Sequence, residues 1–99
     1  LRAAAQGTQS VDELRARLLA TWVAENRLAA HRAFAAWLPL GLQRGTAREG
    51  GAEFAWSEEV VATPNASFRR VEIRVFPKGD EARALAHLVG FVVNAPGAN

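Results

Sequence analysis

The chain has 99 residues, 49% of them hydrophobic and 22% charged, and a formal net charge of +2 at pH 7. This is one domain with one modest core, and its mild basic balance falls short of the dense patch of a dedicated nucleic-acid binder. With no cysteine, a disulfide framework and a thiolate metal site are both excluded, and the redox compartment stays open.

The opening LRAAAQGTQS is alanine-rich and weakly patterned, and Gly7 weakens it as helix. Residues 1–10 therefore read as a remnant or flexible lead-in. Ser10 followed by Glu13 fits a capping box, in which side chains satisfy the first orphan N–H groups of a helix. A long helix is expected over 11–38. Good helix formers run from Val11 to Trp37 without Gly or Pro, and Pro39 and Gly41 then stop the run. The chain begins at Leu1 and holds no methionine. An excised fragment is expected, with room for an anchor in a segment before it. No stretch within the chain itself is long and apolar enough to span a membrane.

Inside this helix the polar triplet Glu25, Asn26 and Arg27 interrupts an apolar run. At about 100° per residue the three side chains point in different directions, so they do not converge on one substrate. Glu25 lies near the line of Leu18 and Trp22. Arg27 points roughly away from it, with Arg17, Ala24 and His31. The same wheel carries two apolar stripes. One holds Val11, Leu14, Leu18, Trp22, Ala29 and Ala33; the other holds Leu19, Val23, Ala30, Phe34 and Trp37. Together they exceed the arc of roughly 100° that covers one sheet. The surplus is either extra core or a surface that meets another chain.

After Gly41 the texture changes to strands and turns. GLQRGTAREGG offers a weak strand ending in a Gly50-Gly51 turn. AEFAWSEEVVAT has the aromatic and β-branched residues of a strand, and PNAS is turn chemistry. FRRVEIRVF is the clearest strand: Val71, Ile73 and Val75 alternate with Arg70, Glu72 and Arg74. PKGDEAR is a loop, ALAHLVGFVVN a last strand, and residues 94–99 a tail. The fold class expected is α+β: one long helix packed on an antiparallel meander of three to four strands, filling 39–93.

Chemistry-bearing patterns are absent. His31 and His87 have no Cys and no ligand-spaced carboxylates around them, so no metal site is expected. Glu58 and Glu59 are strand neighbours and face opposite sides, which excludes a glycosidase pair. The glycines lack a phosphate-cradling pattern, and no nucleophile stands with a base. Arg69, Arg70, Arg74 and Lys78 beside Phe68 and Phe76 hint at single-stranded nucleic acid. The mixed-charge ladder of Arg70, Glu72 and Arg74 instead reads as a solvated sheet face. No enzyme activity, no cofactor and no nucleic-acid partner are expected.

Four blocks carry a resemblance to a known family: LATWVAENRLA at 19–29, FAWSEEV at 54–60, FRRVEIRVF at 68–76 and LVGFV at 88–92. In order and spacing they resemble subunit I of the type II secretion minor pseudopilins. The resemblance spans Leu19 to Val92; residues 1–10 and the loop from Pro39 to Gly51 lie outside it. It implies a pilin-like fold in the periplasm, held to the bacterial inner membrane by an apolar helix half that this chain lacks. It also implies assembly with the J and K minor pseudopilins into the tip of the pseudopilus, which primes fibre assembly and supports export of folded proteins. A type IV pilus minor pilin and a free-standing binding domain for an acidic ligand are the alternatives.

Two sets of residues follow. Leu19, Val23, Phe34, Trp56, Val71, Ile73, Val75 and Phe91 are expected between helix and sheet. Val11, Leu14, Leu18, Trp22 and Glu25 are expected to face a partner, on a helix that overhangs the sheet.

Overall fold

A computed structural model describes residues 2–34 and 37–93. One helix, α1 (Arg2–Ala33), is followed by β1 (Gly41–Glu49), β2 (Ala52–Ala62), β3 (Phe68–Pro77) and β4 (Ala86–Val93). The strands form a single antiparallel sheet in chain order, β1-β2-β3-β4. Each connection is local, as expected of a meander.

The turns are set by the residues the sequence supplies. Glu49 pairs with Ala52 across a two-residue loop whose Gly50 and Gly51 have φ of 58° and 79°. That is type I′ geometry, whose twist matches the flanking strands and whose positive φ favours glycine. Between β2 and β3 the Asn65 side chain accepts the Ser67 N–H at 2.9 Å, and its carbonyl accepts the Phe68 N–H at 3.0 Å.

The core lies between one face of α1 and one face of the sheet. Leu19, Ala20, Val23, Ala24 and Leu28 pack on Phe54, Trp56, Val60, Val71, Ile73, Val75, Leu85 and Val92. Val71, Ile73 and Val75 have no exposed surface, while Arg70, Glu72 and Arg74 between them stand on the outer face. The period of two in β3 thus sorts apolar from charged side chains.

Four expectations are corrected. The helix begins at Arg2, so residues 2–10 are its first turns; the alanine-rich segment outweighs Gly7 and makes Ser10 an interior residue instead of a cap. It ends at Ala33, short of residue 38, and Trp37 packs against the core from the following loop. Phe34 is 71% exposed and not core, because it stands in the bend just past the helix and no longer follows the wheel. Phe91 is 49% exposed and also not core. In β4 it is Gly90 and Val92 that face inward, and alternation turns Phe91 out. The tail at 94–99 falls outside the described residues.

Candidate assembly surface and buried charge cluster

Two features of α1 are not consumed by the fold in the ordinary way. The first is its outward stripe. Val11, Leu14, Leu18 and Trp22 are 67%, 72%, 51% and 46% exposed, and Glu25 on the same line is exposed too. At about 100° per residue this stripe lies roughly 170° from the midline of the buried set. It stands opposite the sheet, and the core as packed leaves it uncovered. The buried arc is centred further round the helix than Leu19 and Val23 alone suggest, because Ala20, Ala24, Arg27 and His31 belong to it.

The helix is tied to the sheet domain close to the start of the stripe. Arg15 donates to the Gly50 carbonyl at 3.2 Å, and Arg83 in the β3–β4 loop pairs with Glu13. The turns of α1 before these contacts extend past the hairpin. The molecule measures 60 Å along its longest axis and 23 Å across the next.

The second feature is a charge cluster beneath the helix. Glu58 on β2 is 2% exposed. Its carboxylate accepts two hydrogen bonds from Arg27, Nε to Oε2 at 2.5 Å and Nη2 to Oε1 at 3.0 Å. His31 Nε2 lies 2.8 Å from Oε1. The Arg27 guanidinium also stacks on Trp56, 3.9 Å from the ring centroid. The Trp56 indole N–H in turn reaches the Thr46 carbonyl at 3.3 Å, with Gly45 under its ring. Burial pushes the Glu58 carboxyl up, but the hydrogen bonds and charges of Arg27 and His31 outweigh it and hold the group below its ordinary value.

The triplet is therefore divided. Glu25 and Asn26 are exposed, whereas Arg27 turns under the helix to Glu58. Reading the sequence alone missed this pairing. The signal was present in β2, where Phe54, Trp56, Glu58 and Val60 share the inward face. A carboxylate in that row requires a cation, and Arg27 and His31, spaced i and i+4, provide one face of donors.

On the outer face Glu72 is surrounded by Arg70 at 3.7 Å, Arg74 at 3.3 Å and His87 at 2.6 Å. The His87 hydrogen bond leads the effects that hold the Glu72 carboxyl low. Arg69 stacks on Trp37 at 4.4 Å and bonds the Leu38 carbonyl, and Lys78 pairs with Glu53 at 2.8 Å. The basic residues of this region thus have partners within the chain. Among the described residues no group of three His, Cys, Asp or Glu side chains is placed to hold a metal. No described helix is long and apolar enough to cross a membrane. Large apolar side chains are exposed in two rows among the described residues, the α1 stripe and, on the outer face of the sheet, Phe68 with Val89, Phe91 and Val93; the chemistry of both is contact, and each large side chain fully covered contributes about 1.5–3 kcal/mol.

A long helix laid along a four-stranded antiparallel meander, its N-terminal turns projecting, is the architecture of the pilin-like subunits. The family model described as type II secretion system (T2SS), protein I matches residues 14–93, and the chain belongs to that family. The type II secretion system protein I of Pseudomonas aeruginosa is 31% identical, over an alignment covering 97% of this chain and 80% of that protein. A chain from the crystal structure of the GspK-GspI-GspJ complex of the enterotoxigenic Escherichia coli type 2 secretion system has the same fold. The TM-score is 0.67 at 23% identity, covering 83% of this chain and 98% of that one. Membership makes the protein a structural pseudopilin of an envelope-associated secretion machine.

Proposed function

We propose that the protein is a non-enzymatic subunit of the pseudopilus tip. It assembles with the J and K minor pseudopilins of its own secretion system, primes the fibre and supports export of folded proteins across the outer membrane. The domain stands in the periplasm, and the apolar half of the helix that precedes it in the family anchors the full-length protein in the inner membrane.

The exposed row Val11, Leu14, Leu18 and Trp22, with Glu25 at its end, is the observation that carries this reading. A contiguous apolar strip on the far side of a helix is an aggregation liability unless a partner covers it. The corresponding helix of a second pseudopilin has the shape to do so, ridges of one entering grooves of the other. The similar E. coli chain was crystallised with subunits of both other kinds, which supports J and K as the partners.

Leu14→Glu together with Leu18→Glu is the test. Both side chains point to solvent, so the domain is expected to keep its circular dichroism spectrum and lose co-elution with J. A double variant that binds J with unchanged affinity in titration calorimetry places the interface elsewhere. Loss of fold makes these leucines core.

A further inference from the structure

The two apolar faces of α1 pose a problem that hydrophobic burial does not solve. The inward set is Leu19, Ala20, Val23, Ala24 and Leu28; the outward set is Val11, Leu14, Leu18 and Trp22. The second includes the largest residue, Trp22. Since the hydrophobic effect is non-directional and scales with area, it does not by itself forbid a helix turned over to bring Leu18, Trp22 and Ala29 inward, with Glu25 on the same line coming along. The molecule nonetheless puts two alanines against the sheet and leaves a tryptophan outside.

We infer that the Arg27–Glu58–His31 cluster sets the rotation of α1, and so keeps the Leu14-Leu18-Trp22 face available to the partner. The argument rests on the asymmetry of buried charge. Glu58 is fixed in the sheet by its register opposite Ile73, with Trp56 and Val60 on the same face. Its carboxylate faces the helix wherever the helix lies. Arg27 and His31 meet it only when the small-residue arc is inward, and with the helix turned over both swing to solvent. Glu58 then stays buried without a partner, a state far costlier than the pair it replaces. Stacking of the Arg27 guanidinium on Trp56 narrows the allowed angles further, since the planar group must satisfy a ring face and a carboxylate at once. Buried ion pairs add little net stability over apolar side chains of the same size. Their contribution here is the choice between two packings.

Arg27, Glu58 and His31 are thus positioning residues for assembly, not contact residues, a role that rests on the partner surface proposed above. The test replaces the cluster by apolar residues of similar size, Arg27→Met, Glu58→Leu and His31→Leu together. Two readouts separate positioning from stability. The chain has three tryptophans, so three indole N–H signals report in an NMR spectrum, and a soluble paramagnetic agent broadens those that face water. In the parent, where Trp22 is exposed, its signal is expected to be single and broadened. In the variant it is expected to split or become shielded, with a melting temperature no lower than the parent's and affinity for J at least tenfold weaker. A Trp22 signal that stays single and equally broadened, or unchanged J binding beside a displaced Trp22, overturns the inference. If the triple variant does not fold, Glu58→Gln, which keeps the volume and removes the charge, is read by the Trp22 signal and the affinity for J alone, since loss of one partner of the pair lowers its melting temperature. If the parent itself fails to bind J, the partner reading fails; the indole signals need no partner and still decide whether the cluster sets the helix.

Discussion

Leu28 of the helix lies directly over Gly90 of β4: a Cβ built on that glycine would stand 2.5 Å from Leu28 Cδ2. The approach explains why a glycine occupies the middle of a strand, and it forces Phe91 outward by alternation. Gly90→Val is expected to push Leu28 and the helix off β4, costing about 1–3 kcal/mol as overpacking does. A thermal melt reads the loss directly; an unchanged midpoint means that α1 is not seated on β4.

Val71 tests the opposite side of the same core. It is fully buried in β3; Arg27 and His31 on the facing helix already serve Glu58, and Arg69, two residues along the same face, stacks on Trp37 and bonds the Leu38 carbonyl. Val71→Asp is expected to cost several kcal/mol, on the order of 3 or more, and to broaden or abolish the unfolding transition. A variant that melts with the parent would mean the sheet faces the other way.

The charge cluster predicts an acid limb. Glu58 titrates below its ordinary value of 4.5 in the folded chain because Arg27 and His31 outweigh its burial. A carboxylate with a depressed folded value binds fewer protons folded than unfolded. Its stabilisation is therefore complete above that ordinary value and lost as pH falls through the folded one. Melts between pH 7 and pH 3 are expected to be flat first and then to fall below about pH 4.5. Glu72 and Glu53 shift the same way and add to the limb. The difference between the parent and Glu58→Gln isolates the cluster. It should shrink as pH falls; a constant difference assigns the acid limb to other groups.

Among the described residues no three His, Cys, Asp or Glu side chains converge to hold a metal. Elemental analysis of purified protein is expected to find no stoichiometric zinc, iron, copper or manganese. One metal per chain, surviving gel filtration, would overturn the non-enzymatic reading.

What was legible in the sequence depended on how many residues shared a signal. β3 declared itself through three alternations, and the hairpin through Gly50-Gly51, because each rests on local backbone preference. The helix limits were less accessible: whether Ala3, Ala4 and Ala5 extend a helix through Gly7 depends on small propensities summed over several turns. Phe91 was misplaced because the residue deciding the face of β4 was its silent neighbour Gly90, shaped by a leucine far away in sequence. The outward stripe was visible as surplus apolar area, yet the wheel had no means of choosing its inward side. That choice sits in a pairing between positions 27 and 58, and a wheel describes one element at a time.

The length of α1 gives its seating a mechanical meaning. From Glu13, which Arg83 ties to the sheet domain, to Arg2 the helix rises roughly 17 Å at about 1.5 Å per residue. That length is a lever with its fulcrum at the Arg15–Gly50 and Glu13–Arg83 contacts. A tilt of roughly 10° there carries the far end sideways by roughly 3 Å. Tolerance in two surface contacts is therefore magnified at the end of the helix away from the sheet.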